Sequence, residues 1–464
     1  MAGITFLGAA RNVTGSRFLV ESKNGRVLVD CGLYQERDLV DRNWEPFPVP
    51  PGSIDAVLLT HAHLDHCGYL PRLLKDGFSG PVICTEPTEA IARIVLLDSA
   101  RIQEEDVAYK QRRHRQQGRK SPHSYEPLYT VTDAEAVFPR FKACSYDSPV
   151  PVIEGITVFF RDAGHILGSA IIEMKIREDG RERTVVFSGD LGRYGTILLS
   201  DPSVIERADC VLVEATYGDR EHEATDQALN TISEIFEATR RAGGNILIPS
   251  FAIERAQEIL YHMDQLLNQD RIPHLVTFLD SPMAIKVTEV YRRFTQYLNP
   301  LAVENGDGSL FDFPLLQLTR SAEESKAINH IKGSAVIIAG SGMCTGGRIK
   351  HHLIRNISRP ESCILFVGYQ AVGTLGRHIL RRPPEVRIFG SPRLLKARVE
   401  QINGLSAHAG RSELLRWMDG FTQPPEKIFV IHGEEKAAEA FVAELEERFP
   451  SEIKAPAFGE TCSL

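Results

Sequence analysis

The sequence predicts an α/β protein in which one domain is inserted into another. Between about Asn230 and Val367, helical runs alternate with short apolar strands, the pattern of a parallel sheet wrapped by helices. Strand-like segments of another kind precede this stretch and resume near residues 386–390 and 426–434. The length of 464 residues also exceeds that of one ordinary domain. The alternating stretch is therefore predicted to be an insertion.

Composition limits the class of protein. The 43% hydrophobic and 25% charged residues are typical of a globular protein, and no apolar run approaches the length of a membrane span. The eight cysteines are scattered without a C-x-x-C pair, and the N-terminus lacks the features of a signal peptide, which together predict a cytoplasmic protein. The net charge of −8 is unlike that of a nucleic-acid-binding protein, although local charge at a site matters more than the total.

A cluster of potential metal ligands follows the apolar run Ala56–Leu59. It comprises His61, His63, Asp65 and His66, within the sequence L-T-H-A-H-L-D-H. If the strand continues to His63, the first two histidines project to the same side, because strand side chains alternate. The aspartate and the last histidine then lie on the following turn. Imidazole nitrogen and carboxylate oxygen are zinc ligands, so a metal site is predicted here.

Two later residues supply the ligands that this stretch lacks. His165 lies in the glycine-flanked segment D-A-G-H-I-L-G, and Asp190 ends the apolar strand T-V-V-F-S-G-D. A lone histidine is usually a satisfied polar residue, but here it completes a set: His61, His63 and His165 would hold one zinc ion. Asp65 and His66 would hold a second, with Asp190 bridging the two. Two metals about 3.5–4 Å apart are a standard arrangement for hydrolysis at phosphorus.

Two other features each have two interpretations. Asp30 ends the strand V-L-V-D, where it could cap the strand or orient a metal-bound histidine from behind. A basic run could contact phosphates or form a solvated helix face; it consists of Lys110, Arg112, Arg113, His114, Arg115, Arg119 and Lys120.

The motifs together resemble a known family. The segment H-A-H-L-D-H, with single histidine and aspartate motifs after it, resembles the metallo-β-lactamase superfamily. Glu214 in E-A-T-Y-G-D-R, His378 in G-T-L-G-R-H and His408 in L-S-A-H-A-G resemble the three further motifs of the β-CASP nucleases. The resemblance covers nearly the whole chain and is closest to the branch that includes the pre-mRNA 3′-end processing endonuclease subunit. Histidine at position 408 favours the RNA-directed branch over the DNA-directed one.

The resemblance implies a fold and domain boundaries. It implies an αββα metallo-β-lactamase sandwich formed by residues 1–217 and 376–464. It also implies a Rossmann-like, parallel-sheet β-CASP domain inserted at residues 218–375.

The resemblance also implies roles for individual residues. His408 would complete the second of two zinc sites, and Asp65 and Glu214 would act in catalysis with His378. In that scheme His378 protonates the leaving 3′ oxygen, and Glu214 favours its charged form. His432 would support the site from behind. RNA contacts are predicted at Arg255, Ser341, Gly342, Arg348, Thr374, Gly376 and Arg377.

The implied function is a zinc-dependent nuclease of single-stranded RNA in RNA processing or decay. Endonuclease action is the first expectation, and the sequence leaves 5′-exonuclease action open. The expected assembly is a homodimer or an RNA-processing complex. One alternative is a thioester or small-ester hydrolase of the same superfamily, which would lack the large insert. The other is a non-catalytic scaffold subunit, which would be expected to have lost metal ligands, whereas every ligand position here is filled.

Overall fold

A computed structural model of the chain describes residues 2–117, 125–304, 310–331, 333–371 and 373–464. These residues form two compact units, which we call the outer domain (1–221 and 408–464) and the inserted domain (222–407). The predicted insertion is therefore confirmed. It begins at His222, four residues later than predicted. The predicted return at residue 376 is wrong, because the chain stays in the inserted domain until Ala407.

The first part of the outer domain contributes most of its strands. Their bounds are β1 (Gly3–Phe6), β2 (Phe18–Ser22), β3 (Gly25–Val29), β4 (Ala56–Leu58), β5 (Val82–Thr85), β6 (Phe141–Cys144), β7 (Val150–Ile153), β8 (Ile156–Asp162), β9 (Ala170–Glu178), β10 (Arg181–Phe187) and β11 (Cys210–Glu214). The helices are α1 (Leu64–Cys67), α2 (Leu70–Lys75), α3 (Glu86–Gln117) and α4 (Val131–Val137).

The inserted domain is the predicted helix-wrapped sheet. Its helices are α5 (Thr225–Ala242), α6 (Arg255–Asn268), α7 (Pro282–Arg293), α8 (Pro300–Glu304), α9 (Ala322–Ala327), α10 (Ile349–Asn356) and α11 (Leu375–Leu380). Its strands are β12 (Ile246–Pro249), β13 (Val276–Asp280), β14 (Leu316–Leu318), β15 (Ala335–Ala339), β16 (Cys363–Val367), β17 (Glu385–Ile388), β18 (Ser391–Leu394) and β19 (Arg398–Ile402).

Six of these strands form one parallel sheet in the order β14-β13-β15-β12-β16-β19. Every residue of β12, β15 and β16 is buried, as expected for strands covered by helices on both faces. Strand β19 pairs with β16, and this pairing moves the domain boundary beyond the predicted position. Strands β17 and β18 form a separate antiparallel hairpin.

The chain then returns to the outer domain. It adds α12 (Arg411–Met418), β20 (Lys427–Ile431), α13 (Glu435–Arg448), β21 (Glu452–Lys454) and β22 (Thr461–Ser463). Two seven-stranded sheets result, in the orders β22-β1-β2-β3-β4-β5-β6 and β21-β20-β11-β10-β9-β8-β7.

The two sheets of the outer domain share one apolar core. Phe6 and Val29 of the first sheet pack in the same cluster as Phe160 and Phe187 of the second. On its other face, the second sheet buries side chains against α12 and α13, including Trp417. Helix α3 contacts β5 and β6 of the first sheet, so helices flank both sheets, as in the predicted αββα architecture.

None of the helices in the described ranges has the length and hydropathy of a membrane span. Helix α3, with 32 residues, carries the predicted basic run at its far end. Lys110, Arg112, Arg113 and Arg115 are exposed there, whereas Arg119 and Lys120 lie outside the described residues.

Candidate metal centre

The first four predicted ligands follow β4 as expected, but the strand is shorter than predicted. It ends at Leu58, so His61 and His63 lie on the connection to α1 and not on the strand. Strand alternation therefore does not explain why they converge. Asp65 and His66 lie on α1 itself, a single turn that begins directly after His63.

The first group of ligand atoms has the spacing of a tetrahedral site. His63 Nδ1 lies 3.0 Å from His61 Nε2 and 3.2 Å from His165 Nε2. Asp190 Oδ2 lies 3.4 Å from the His61 nitrogen and 3.6 Å from the His165 nitrogen. Four donor atoms placed about 2.1 Å from a common centre at tetrahedral angles are about 3.4 Å apart. These side chains therefore fit one zinc-sized ion.

The second group contains His432, not His408. His432 Nε2 lies 3.1 Å from His66 Nε2 and 3.5 Å from Asp65 Oδ2. Asp65, His66 and His432 together can place one ligand atom each around a common point. His432 was predicted from the sequence to support the site from behind. In the structure it lies beside Asp65 and His66, where His408 was expected.

Asp190 faces both groups. Its Oδ2 is turned towards the first group, while its Oδ1 lies 3.4 Å from His66 Nε2 and 3.5 Å from His432 Nδ1. Although Oδ1 is buried, it has no hydrogen-bond partner among the described residues. A buried oxygen without a partner is costly, and a cation between the two groups would satisfy it.

The protonation states of the histidines suit metal binding. Burial lowers the pKa of His61 well below its usual value and that of His63 to about 3, so both rings are neutral and keep a lone pair. Burial also opposes a charge on His66, but the nearby carboxylates of Asp190 and Asp30 raise its pKa to about 10. Without a cation, the second group therefore holds a proton that a metal ion would displace.

Asp30 lies behind the site, and both of its oxygens are engaged. Its Oδ2 lies 2.8 Å from His66 Nδ1, which leaves the other ring nitrogen of His66 facing the second group. Its Oδ1 accepts a hydrogen bond from the backbone nitrogen of Thr60 at 2.8 Å. The Thr60 hydroxyl in turn lies 3.0 Å from His61 Nδ1. The Asp30 carboxylate thus orients His66 directly and His61 through Thr60. This arrangement supports the interpretation that Asp30 orients histidines of the site from behind.

His408 pairs with Glu214. Its Nδ1 lies 3.3 Å from Glu214 Oε1 and 3.9 Å from Asp190 Oδ2. Burial opposes a charge on His408, but the Glu214 carboxylate outweighs it and raises the pKa to about 8. These three residues could also hold an ion. However, the sequence predicted that Glu214 would act on His378, whereas in the structure Glu214 pairs with His408.

His378 itself belongs to the inserted domain. It is exposed on α11, and its backbone nitrogen donates to Thr374 O. The hydrogen bonds of the Glu214 carboxylate are to the backbone nitrogens of Leu191 and Thr216 and to His408, all in the outer domain.

Two arginines predicted to contact RNA are engaged in ion pairs within the inserted domain. Arg255 Nη1 lies 2.5 Å from Glu258 Oε2. Arg348 Nη1 lies 2.6 Å from the buried Asp280 and also donates to the backbone oxygen of Thr319. Both arginines are therefore explained by the fold without a ligand.

Arg377 differs from these two. With Arg381 and Arg382 it lines a surface pocket of about 360 Å³ in the inserted domain. Its Nε is buried and has no hydrogen-bond partner among the described residues. Of the three arginines predicted to contact RNA, Arg377 is the one whose Nε is buried without a hydrogen-bond partner among the described residues.

The small residues predicted to contact RNA have local structural roles. The Thr374 hydroxyl accepts from Arg377 N and caps α11. A Cβ at Gly376 would lie 1.8 Å from Gln370 Oε1, and one at Gly342 would lie 2.6 Å from the Phe251 ring. The Ser341 hydroxyl accepts a hydrogen bond from Gly346 N.

The role of His432 could have been found from the sequence. Its segment, K-I-F-V-I-H-G, is an apolar strand followed at once by a histidine, as in the first metal motif. In the structure β20 lies parallel to β11, and Ile431 is the register partner of Glu214. This pairing brings His432 to the sheet edge where Glu214 lies, although the two residues are far apart in the sequence.

Comparison with known proteins identifies the family. The β-CASP domain family matches residues 256–379, the metallo-β-lactamase superfamily matches residues 12–236, and the Zn-dependent metallo-hydrolase RNA specificity domain matches residues 394–456. Ribonuclease TTHA0252 of Thermus thermophilus is 40% identical over 92% of both chains. The chain belongs to the β-CASP family.

Two further similarities agree with β-CASP membership. The transcription termination factor FttA of Methanosarcina mazei is 32% identical over 99% of this chain and 71% of its own length. A crystal structure of a protein of unknown function from Enterococcus faecalis covers all of both chains with a TM-score of 0.57. At 12% identity, that structure shows a shared fold only.

Proposed function

We propose that this β-CASP protein is a ribonuclease that uses two zinc ions to hydrolyse phosphodiester bonds in single-stranded RNA. The observation that carries the proposal is Asp190, whose two oxygens face two separate groups of ligands while one oxygen has no hydrogen-bond partner among the described residues. A carboxylate in this position can bridge two close cations. Single-metal hydrolases do not require such a residue.

Each ion would have its own set of ligands, with Asp190 shared. His61, His63 and His165 would hold the first, and Asp65, His66 and His432 would hold the second. This assignment replaces His408 by His432. When bound, zinc supplies a Lewis acid for the phosphate and lowers the pKa of water towards neutrality.

His408 is the proposed proton donor in place of His378. Water attacks phosphorus, the bond from phosphorus to the 3′ oxygen breaks, and that oxygen takes a proton as it leaves. A histidine paired with Glu214 is suited to this role, because the carboxylate raises the pKa of His408 and so favours its charged form. Glu214 acts through His408 and does not touch the substrate.

RNA is the proposed substrate because of the family and because of local charge. A domain described as specific for RNA matches residues 394–456, and a relative at 40% identity is named a ribonuclease. Two zinc ions and the carboxylates of Asp65 and Asp190 leave the site cationic, which favours a phosphodiester despite the net charge of −8. All eight cysteines are free, which supports a cytoplasmic location.

The test is cleavage of matched, end-labelled RNA and DNA oligomers by the zinc-loaded protein. We expect zinc-dependent cleavage of RNA alone, reduced about 10²- to 10⁴-fold in His408→Ala, the range for loss of a general acid. The matched control is His378→Ala, which should retain the wild-type rate. The length of the products separates internal cleavage from 5′-exonuclease action. Hydrolysis of small thioesters with no cleavage of RNA, despite two bound zinc ions, would overturn the proposal.

A further inference from the structure

The hairpin formed by β17 and β18 has an unusual residue at its tip. Its two-residue turn is Phe389-Gly390, with φ angles of 50° and 80°. Such a turn requires positive φ at both positions and favours Asn-Gly or Gly-Gly, whereas a bulky side chain is strained there. Phe389 is also 56% exposed, so burial in a core does not offset this strain. Phenylalanine is therefore an unusual residue at this position.

The ring of Phe389 contacts two neighbouring side chains of one helix, α10. The ring of His351, on α10, lies 4.9 Å from it, with 39° between the two planes. The Nζ of Lys350 lies 4.6 Å from the centre of the same ring. The aromatic side chain is therefore held at the surface next to a cation.

The surroundings are strongly basic. Residues 377–398 contain many more lysines and arginines than acidic residues, in a chain whose net charge is −8. Arg387 and Arg393, one on each strand of the hairpin, are exposed, and neither forms an ion pair with any described residue. Arg393 is the register partner of Val386, so its side chain lies on the opposite face of the hairpin from that of Arg387. Among the described residues, the acceptor of Arg387 is the backbone oxygen of Gly390, at 3.4 Å. The cations near the tip are thus available to an anionic partner.

We propose that the tip of this hairpin is a binding site for single-stranded RNA, in which Phe389 stacks on a base and Lys350 and Arg393 contact the adjacent phosphates. An exposed aromatic ring among cations is the usual surface for such binding, because every base offers a flat face to stack on. The charge of the segment is complementary to a polyanion. This inference rests on the proposed function and extends it to substrate outside the metal centre.

The decisive variant is Phe389→Asn in the zinc-loaded protein. Asparagine is preferred before glycine in this turn, so thermal stability should stay the same or rise. Loss of one stacked base should raise KM for single-stranded RNA by about 5- to 150-fold with kcat unchanged. Phe389→Trp should restore KM, because tryptophan also stacks.

A matched control exists in the outer domain. Phe458 also precedes a glycine, is 41% exposed, and has the Arg42 guanidinium 4.2 Å from its ring. Phe458→Asn should leave KM for RNA unchanged. A double variant, Lys350→Gln with Arg393→Gln, should make KM less dependent on salt, by a slope of about 0.7 for each phosphate that the protein no longer neutralises.

Three outcomes would overturn the inference. If Phe389→Asn lowers the melting temperature and leaves KM unchanged, the ring only holds the hairpin to α10. If KM is unchanged while light scattering shows a smaller assembly, the tip is a protein interface. If the wild type neither binds nor cleaves RNA, the proposed function fails together with this inference, whereas wild-type cleavage with an unaffected variant refutes the hairpin site alone.

Discussion

Each domain of this protein contains a buried carboxylate at or just beyond the end of a strand, but the two carboxylates have different partners. In the inserted domain, Asp280 ends β13 and receives contacts of 2.6 Å from each of Arg348, His352 and Ser325. Both of its oxygens are bonded. In the outer domain, Asp190 follows β10 and is surrounded by imidazoles, and one of its oxygens has no hydrogen-bond partner among the described residues.

The difference shows how a structural cluster can be told from a ligand site. The charge of Asp280 is balanced by a guanidinium and both of its oxygens are bonded, so this carboxylate needs no ligand. Its partner His352 nevertheless has a buried Nδ1 without a hydrogen-bond partner among the described residues. Around Asp190, ligand atoms of several histidines crowd together at distances that suit a shared cation. Both clusters are polar and buried, so burial alone does not distinguish them. What distinguishes them is whether both oxygens of the central carboxylate have hydrogen-bond partners among the described residues.

The largest expected effect comes from Asp190→Asn. Loss of the bridging carboxylate should remove at least one metal ion and reduce RNA cleavage by roughly 10³-fold or more, since both ions would share this ligand. Metal content and cleavage rate are measured on the same preparation. The control is Asp219→Asn, which removes a surface ion pair with Arg220 and should change neither quantity. Two bound ions and normal cleavage in Asp190→Asn would show that Asp190 is as structural as Asp280.

The next effect concerns pH. The Glu214 carboxylate raises the pKa of His408, so Glu214→Gln should lower that pKa and move the alkaline fall in kcat to lower pH. On the alkaline side, the rate should drop about tenfold for each pH unit of this shift. The measurement is the pH dependence of kcat at saturating zinc. A lower rate with an unmoved alkaline limb would mean that Glu214 does not act through His408.

In the inserted domain, Arg348→Gln should affect stability and not the metal centre. The variant leaves an oxygen of Asp280 poorly paired, which should cost about 1–3 kcal/mol of unfolding free energy. Chemical denaturation measures this cost, and zinc content should remain that of the wild type. If stability is unchanged but KM for RNA rises, Arg348 is the RNA contact predicted from the sequence.

Arg377→Gln, unlike Arg348→Gln, should affect the binding of RNA and not the stability of the fold, and its effect should be the smaller of the two. Its Nε lacks a partner among the described residues and lies by a pocket, so the substitution should leave stability within about 0.5 kcal/mol of the wild type. KM for RNA should rise several-fold through loss of a phosphate interaction. An unchanged KM would assign the pocket no role in binding RNA.

Much of this architecture could be predicted from local patterns. Alternating helices and strands identified the insert, and histidine after an apolar strand identified the first metal ligands. What the local pattern could not supply was long-range strand pairing. The pairing of β19 with β16 extends the insert beyond residue 376, and the pairing of β20 with β11 sets where His432 lies.

The proposed exchange of roles among three histidines has the same cause. His378, His408 and His432 each follow a plausible motif, and spacing along the chain does not tell which one approaches Glu214 or Asp65. Likewise, the sequence shows that Arg348 is a cation but not that it faces Asp280.

The most direct test of the metal centre is the zinc content of His408→Ala and His432→Ala, each compared with the wild type after dialysis. We predict that His432→Ala keeps one zinc ion per chain and that His408→Ala keeps two but loses cleavage of RNA. If His408→Ala keeps one ion and His432→Ala keeps two, His408 is the metal ligand, and the assignment made from the structure is wrong.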